Sequence, residues 1–224
     1  FSNMTIAPRY AVLVPINLTR RDIEHLRSYY DSEIRYADDM IKYFLKELER
    51  LNIINKTIVI ILGDHGDAFG EHGRLIRVGF ARGNMYDEVI HIPLIIKYPS
   101  VKKGIRIEAL VQIIDVMPTI LDFLNIPQNQ QAQGKNFFPL IQGEKSNIHE
   151  FIYAGGNFGT EEKEFFRFQT INDAIRSKNW KLIYERSLDG RVYNLELYDI
   201  SQDPQETKNL IGDICKNGPR CIQR

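Results

Sequence analysis

The sequence lacks several features that would assign a protein to a class at once. Its 224 residues contain no apolar run approaching the ~20 residues that cross a bilayer. Cysteine is scarce, because only Cys215 and Cys221 occur, and two thiols in the last ten residues do not define a redox compartment. The 29 Lys and Arg residues balance 29 Asp and Glu residues, so a global basic field is missing and no nucleic-acid partner is expected.

Common hydrolase motifs are absent as well. The sequence has no Gly-x-Ser-x-Gly, no His-Glu-x-x-His and no P-loop, which argues against the enzyme classes that those motifs mark. Apolar residues make up 43% of the chain and charged residues 26%, which is ordinary for a folded domain. A catalytic site in this chain would therefore have to be built from residues outside these common motifs.

Two successive patterns predict a helix and a buried strand. Apolar residues recur at three- and four-residue steps over residues 20–52, which predicts one long helix or two in series, and Asn52 suits its end. Residues 57–62 are a continuous apolar and β-branched run, which predicts a strand buried on both faces of a parallel sheet.

A polar, glycine-rich cluster follows that strand directly. It begins Gly63-Asp64-His65-Gly66-Asp67 and continues with Gly70-Glu71-His72-Gly73. Ligands and catalytic residues gather outside the carboxyl ends of strands in open α/β sheets. A carboxylate and an imidazole on adjacent residues can share a metal ion where glycines let the backbone turn. The spacing alone leaves a metal site and a solvated surface loop equally open.

Downstream patterns predict an α/β region followed by a small antiparallel sheet. Further strands are expected at 92–97 and 110–114, and Asp115 with Pro118 predicts the start of a helix that ends at Leu124. The later predicted strands are 151–154, 172–177, 180–185 and 192–198, with a final short helix near 205–212. We expect two domains, 1–145 with α/β structure and 146–224 as a small α+β subdomain.

Seven segments spread over about 180 residues carry a recognisable pattern. They are the helix Tyr29 to Leu51 with 55–59, Gly63-Asp64-His65-Gly66-Asp67, Phe69-Gly70-Glu71-His72-Gly73, Met85-Tyr86-Asp87-Glu88, His91-Ile92-Pro93-Leu94-Ile95-Ile96, Ile114-Asp115-Val116-Met117-Pro118-Thr119, and Glu196-Leu197-Tyr198-Asp199-Ile200 with 203–206 and 209–210. In this order they resemble the sulfatase family of the alkaline-phosphatase superfamily. The resemblance implies an alkaline-phosphatase-like α/β fold, with a mostly parallel sheet flanked by helices, before the small subdomain.

The resemblance also implies a metal site and a reaction. Asp64 and His65 correspond to family residues that ligate a divalent cation, with Ca²⁺ expected first and Mn²⁺, Mg²⁺ or Zn²⁺ as alternatives. The complete protein would be a sulfuric ester hydrolase that acts on a small-molecule or glycan ester. Asp38 and Asp39 do not correspond to the family's Asp-Asp metal pair, because they lie within the predicted helix, and Asp115 corresponds to a structural, helix-capping residue.

Three further residues are candidates for contact with the substrate. The family places a cation, usually Lys, in the same loop, and counting along this sequence favours Arg77 from one side and Arg82 from the other. Arginine binds oxyanions in a fork but is a poor proton donor, so the leaving group would need a proton from elsewhere. His72 either faces the pocket or stabilises the turn.

The nucleophile that the family uses is missing from the sequence. Family members make a formylglycine from Cys or Ser in a Cys/Ser-x-Pro-x-Arg motif, which does not occur here. We therefore expect this chain to be the C-terminal half of a longer protein, with the N-terminal half as its partner, to be inactive alone, and to form homo-oligomers through exposed sheet edges. Two alternatives remain. One is a phosphodiester or phosphonate hydrolase or phosphoryl transferase of the same superfamily, and the other is a catalytically inactive binding module.

Overall fold

A computed structural model of the chain describes residues 18–75, 84–99, 104–127, 131–158, 170–187 and 190–212. They divide into two units, the first within Phe1–Phe80 and Glu88–Gly104 and the second within Ala81–Asp87 and Ile105–Arg224. The domain division expected at residue 145 stays a prediction. None of the helices in the described part of the chain combines the length and apolar character needed to span a membrane.

The long predicted helix is confirmed as a single element, α1 (Arg20–Arg50). Thr19 and Asp22 form a capping box at its start, where the Thr19 backbone N–H donates to Asp22 Oδ2 over 2.8 Å. At its end Asn52 takes a left-handed φ of 57°, and Ile53 N–H donates to the Leu48 carbonyl over 3.0 Å. Asn tolerates this conformation, which explains why the helix stops there.

Among the described residues, the apolar face of α1 has buried side chains near its two ends and exposed ones between them. Ile23 and Leu48 are buried, whereas Ile34 is 54% exposed and Phe44 is 56% exposed. The described residues therefore leave the middle of this predicted core face uncovered. Asp38 and Asp39 lie on the same helix, where Asp39 pairs with Arg35 over 3.3 Å in the surface role expected of it.

The first unit also contains a two-stranded ladder. Strand β1 (Val59–Leu62) pairs with β2 (Leu94–Lys97) in antiparallel register, from Val59 opposite Lys97 to Leu62 opposite Leu94. The expectation that these strands lie in a parallel sheet is therefore wrong for this pairing, and Ile95 is 59% exposed. A continuous apolar run reports how deeply a strand can be buried, but it does not encode the direction of its neighbour.

The second unit is built on the predicted antiparallel sheet. Its strands are β3 (Ile152–Phe158), β4 (Thr170–Arg176), β5 (Trp180–Ser187) and β6 (Val192–Asp199), and they follow one another in space as they do in the chain. All four predicted strands are confirmed. One face buries Ala174, Ile183 and Tyr198 together with the charged side chains of Lys181 and Glu196.

The short helices partly follow the predictions. Helix α2 (Asp87–Ile90) lies where the chain passes between the units, and α3 (Val116–Phe123) and α4 (Phe138–Ile141) belong to the second. The strand expected at 110–114 is wrong, because Ile113–Asp115 winds into a 3₁₀ turn. There the Asp115 Oδ2 accepts from the Gln112 backbone N–H over 2.7 Å, which favours the turn over extension.

The helix expected near 205–212 is wrong over 205–210. Glu206 has a left-handed φ of 54°, and Leu210 N–H donates to the Leu197 carbonyl over 2.9 Å. This segment therefore follows the edge of β6, and only residues 211–212 are helical.

Candidate active site

Asp64 and His65 lie immediately after β1, in the position that the sequence predicted. The Asp64 side chain is 86% exposed, and its Oδ1 lies 3.7 Å from His65 Nε2. Asp64 Oδ1 also accepts a hydrogen bond of 3.0 Å from the His65 backbone N–H. A carboxylate oxygen and an imidazole nitrogen therefore face a common point at the end of the strand.

Two glycines hold this pair on both sides. Gly63 N–H donates to the Pro93 carbonyl over 3.2 Å, and Gly66 N–H donates to the Val89 carbonyl over 2.8 Å. A Cβ on Gly66 would lie 2.1 Å from the Glu88 carbonyl oxygen, which excludes every other residue without movement of the backbone. The Asp64-His65 dipeptide is thus fixed between two contacts to the segment that leads into β2.

The hydrogen bonding of His65 assigns its tautomer. Nδ1 lies 3.0 Å from the Gly66 carbonyl oxygen, which can only accept, so Nδ1 carries the hydrogen. Nε2 is then the lone-pair nitrogen, the form in which histidine binds a metal ion. Asp64 and His65 fit a divalent cation as two ligands, and since such ions take four to eight, the remaining ligands must come from other residues, from substrate or from water.

His72 lies at the apex of a strained turn in the first unit. Its φ is 53°, and Gly70 and Gly73 on either side also have positive φ values, of 103° and 66°. Its Nε2 lies 3.4 Å from Glu88 Oε1, and the His72 side chain is only 12% exposed. A histidine held in an unfavourable backbone conformation against a carboxylate is a reasonable functional candidate.

Side chains of helix α1 contact this turn and the residues beside it. Arg27 Nη2 lies 2.5 Å from Glu71 Oε1, and Glu71 Oε2 accepts from the Phe69 backbone N–H. The Phe69 ring packs edge-on against Tyr30 at 5.1 Å between centroids, with the Arg27 guanidinium 5.8 Å from the ring. Leu75 packs with Ile23 in the same small core. The turn that carries His72 is therefore tied to a rigid element.

Arg77 and Arg82, the two candidates for oxyanion contact, lie outside the described residues. Asp115 is fully buried, and its Oδ2 lies 2.8 Å from His149 Nε2 while Oδ1 accepts from the Lys135 backbone N–H over 2.7 Å. Asp115 thus makes structural contacts, although its side chain caps the 3₁₀ turn at Gln112 rather than α3.

A buried charge network in the second unit was not foreseen from the sequence. Asp87 pairs with Arg176, and its Oδ1 accepts from Lys181 Nζ over 2.8 Å. Lys181 is completely buried and lies 2.6 Å from Glu206 Oε1. Burial raises the pKa of the Asp87 carboxyl, but Lys181 and Arg176 outweigh that effect and hold the pKa below its ordinary value. Burial raises the pKa of Glu206, because Lys181 offsets only part of the desolvation.

The neighbouring residue Tyr86 is anchored by a second set of buried contacts. Tyr86 and Tyr198 both donate hydrogen bonds to Glu196 Oε2, over 2.7 Å and 2.8 Å. Burial, followed by the Glu196 contact, raises the pKa of the Tyr198 hydroxyl. The only sequence signal for these residues was their place in the Met85-Tyr86-Asp87-Glu88 and Glu196 to Ile200 segments, which does not reveal a contact.

Two family models match the chain. The model described as Sulfatase matches residues 5–126, and the model described as N-sulphoglucosamine sulphohydrolase, C-terminal, matches residues 70–218. Arylsulfatase K of Homo sapiens is 29% identical over 192 residues, which are 86% of this chain and 34% of that protein. The chain thus spans about a third of the length of this curated relative.

Solved structures share the fold. The phosphonate monoester hydrolase of Silicibacter pomeroyi superposes with a TM-score of 0.77 at 23% identity, over 90% of this chain and 40% of that one. A protein solved in complex with its substrate D-glucosamine-2-N,6-O-disulfate gives a TM-score of 0.60 at 26% identity, over 82% of this chain and 36% of that one. These likenesses confirm the predicted fold class.

Proposed function

Because the chain belongs to the sulfatase family, as its motifs predicted, we propose that the complete protein is a metal-dependent hydrolase of sulfate esters. The observation that carries the proposal is the Asp64-His65 pair at the end of β1, fixed by Gly63 and Gly66. The complete protein would supply the nucleophile and further metal ligands, which the resemblance places outside this chain.

Each candidate residue has a proposed task. Asp64 Oδ1 and His65 Nε2 would hold the cation, Ca²⁺ first and Mn²⁺, Mg²⁺ or Zn²⁺ as alternatives. When bound, a divalent cation polarises the sulfate group and orients it. Arg77 or Arg82 would bind the sulfate oxygens and stabilise the charge that grows on them during cleavage, and His72 would contact the substrate.

Sulfated sugars are the proposed substrate class. The family model for residues 70–218 is named after an N-sulphoglucosamine sulphohydrolase, and a similar solved protein acts on a disulfated glucosamine. The relative from Homo sapiens is named an arylsulfatase, which favours a sulfate ester over a phosphonate. The phosphonate hydrolase resembles the chain at 23% identity and supports the shared fold alone.

The test uses the complete protein after removal of metal with a chelator. We expect Ca²⁺ to restore hydrolysis of 4-nitrophenyl sulfate and of glucosamine sulfates, with little turnover of phosphonate esters. Asp64→Asn should weaken cation binding by about 100-fold or more. Asp38→Asn, at an exposed acid on α1, is the matched control and should bind as the wild type does.

Each alternative predicts a different result. Faster turnover of a phosphonate ester than of any sulfate would move the assignment to phosphoryl chemistry. Cation binding without turnover of either ester would favour the inactive binding module. If Asp64→Asn binds the cation unchanged, the proposed metal site is wrong.

A further inference from the structure

Helix α2 contacts the loop that carries the proposed metal ligands. It has only four residues, Asp87–Ile90, and a single helical turn is not stable by itself, so neighbouring contacts must hold it. The Val89 carbonyl accepts from the Gly66 N–H over 2.8 Å, and the Glu88 carbonyl oxygen lies 2.1 Å from where a Cβ on Gly66 would be. The position of the loop therefore depends on the position of α2.

The first residue of α2, Asp87, is held by a cluster of charged side chains. Asp87 Oδ1 accepts from Lys181 Nζ over 2.8 Å, and Asp87 Oδ2 pairs with Arg176. The Asp87 backbone N–H donates to Glu206 Oε2 over 2.7 Å, and Glu206 Oε1 lies 2.6 Å from Lys181 Nζ. The backbone and the side chain of Asp87 are therefore both fixed.

The burial of this cluster indicates that it does more than stabilise the fold. The side chains of Lys181 and Glu206 are 0% and 1% exposed. Removing two charges from water costs free energy, and apolar residues of similar volume often stabilise a core equally well. Charged groups differ from apolar ones in that their hydrogen bonds fix the direction and distance of a partner. Here that partner is the first residue of α2.

These contacts connect the cluster to the candidate site. On the basis of the proposed function, we infer that Lys181 and Glu206 are positioning residues for the metal site, acting through Asp87 and α2. The two residues that follow Asp87 in the helix carry the carbonyls that Gly66 contacts. A shift of Asp87 therefore moves the backbone against which the metal-binding loop is held.

The test uses Glu206→Gln in the complete protein. Glutamine has one oxygen and one NH₂ group, so it cannot accept from the Asp87 N–H and from Lys181 with the two atoms that glutamate uses. After removal of metal with a chelator, titration with Ca²⁺ should show binding that is about tenfold weaker than in the wild type, as for other residues that orient metal ligands indirectly.

Asp115→Asn is the matched control, because it also alters a fully buried carboxylate of the second unit. The described contacts of that carboxylate are to Gln112, Lys135 and His149. The substitution should lower stability in the same way as Glu206→Gln, but it leaves the contacts of Asp87 intact. We expect Ca²⁺ affinity in this variant to equal that of the wild type.

Hydrogen exchange in the metal-free complete protein gives a readout that needs neither cation nor turnover. The Gly66 amide is protected by its hydrogen bond to the Val89 carbonyl, so loosening of α2 should expose it. We expect this amide to exchange about tenfold faster in Glu206→Gln, which corresponds to the loss of one buried hydrogen bond. Its exchange in Asp115→Asn should match the wild type.

A milder variant covers the case in which Glu206→Gln does not fold. Arg176→Met removes one of the contacts of Asp87 at a side chain that is 19% exposed, and it should change Ca²⁺ affinity and Gly66 exchange in the same direction by less. Unchanged values in both variants, or an equal change in Asp115→Asn, would overturn the inference. Weaker Ca²⁺ binding with normal Gly66 exchange would also overturn it, because α2 would not carry the effect.

Failure of the proposed function gives a different result. If the wild-type protein binds no Ca²⁺ and cleaves no sulfate ester, the metal site itself is wrong. The exchange comparison then still decides whether Glu206 and Lys181 hold the Gly66 segment through α2.

Discussion

At the scale of single residues, Gly66 is the position that most tightly constrains the candidate site. The Gly66 N–H donates to the Val89 carbonyl, and the absence of a Cβ lets the Glu88 carbonyl approach closely. Gly66 therefore fixes His65, the residue before it, next to the backbone of Glu88 and Val89. The sequence showed the glycine but not the reason for it, because the reason lies in a backbone oxygen 22 residues away.

Replacement of Gly66 should therefore damage both stability and metal binding. We expect Gly66→Ala to lower the free energy of unfolding by about 1–3 kcal/mol, because the backbone must shift to admit the methyl group. Gly104→Ala has no atom within 4 Å of its new Cβ and should change stability by less than about 0.5 kcal/mol. Urea unfolding and calcium titration of the complete protein measure both effects, and equal behaviour of the two variants would contradict the argument.

Asp87 provides a second prediction at this scale, on pH dependence. Its folded-state pKa is held below the ordinary value of 3.8 by Lys181 and Arg176, against the opposing effect of burial. A depressed pKa means that the stabilisation is fully present above pH 3.8 and is lost as pH falls through the lower folded value. Glu206 changes the stability in the opposite direction as pH falls. Its pKa is raised in the folded state, so the folded protein takes up a proton at Glu206 at a higher pH than the unfolded chain does.

The measurement is the difference in unfolding free energy between the wild type and Asp87→Asn. We expect a loss of about 3 kcal/mol at pH 7, because the substitution removes a charge from a buried pair. The difference should stay level down to pH 5 and shrink below about pH 4. Asp31→Asn, on the exposed surface of α1, should show no such difference. A difference in unfolding free energy that grows as the pH falls would contradict the stabilising role given to the Asp87 carboxylate.

At the scale of elements, the antiparallel sheet shows how an edge strand is protected. Asn209 Oδ1 accepts from the Leu197 backbone N–H over 3.1 Å, and Leu210 N–H donates to the Leu197 carbonyl over 2.9 Å. The segment after Glu206 therefore occupies the outer edge of β6 in place of another chain. This is why the helix expected there does not form over 205–210.

Loss of that cover should weaken the sheet and expose its edge. We expect Asn209→Ala to reduce the free energy of unfolding by about 1–2 kcal/mol, because the Leu197 N–H loses its acceptor. Aggregation on mild heating, followed by light scattering, should also increase. Lys208→Ala changes the adjacent exposed side chain and should leave both quantities unaltered. A stability loss in the control as large as in Asn209→Ala would refute the role given to the amide.

At the scale of the whole molecule, the described residues leave large apolar side chains in solvent. Ile34 is 54% exposed, Phe44 is 56% exposed and Ile95 is 59% exposed. Large apolar side chains that are exposed in this number often mark an interface. The chain also spans about a third of the curated relative's length, so further sequence is available there to cover such a surface.

The 224-residue chain, purified alone, should therefore associate with itself and hydrolyse no sulfate ester. Sedimentation velocity should show oligomers, and the double substitution of Ile34 and Phe44 by Glu should reduce them. Ser32→Glu, an exposed polar site on the same helix, adds charge without removing apolar surface and should leave association unchanged. If the chain is a monomer, the exposed apolar side chains do not cause self-association. If it hydrolyses a sulfate ester, the expectation that the nucleophile lies outside this chain is wrong.

The sequence by itself determined the features that rest on local physics. Helix α1 follows from the 3.6-residue apolar period and its caps, and the four strands of the second unit follow from short apolar runs between turns. The Asp64-His65 loop was visible because glycines and polar residues interrupt an apolar strand. Each of these signals lies within a few neighbouring residues.

Only the tertiary structure decided which distant residues meet. The antiparallel pairing of β1 with β2, the approach of Glu88 to His72, and the burial of Lys181 against Asp87, 94 residues earlier, depend on where the chain returns. A periodicity reports how much of an element is buried, but not what covers it. Buried charges in particular are stable only beside their partners, and those partners are defined in three dimensions.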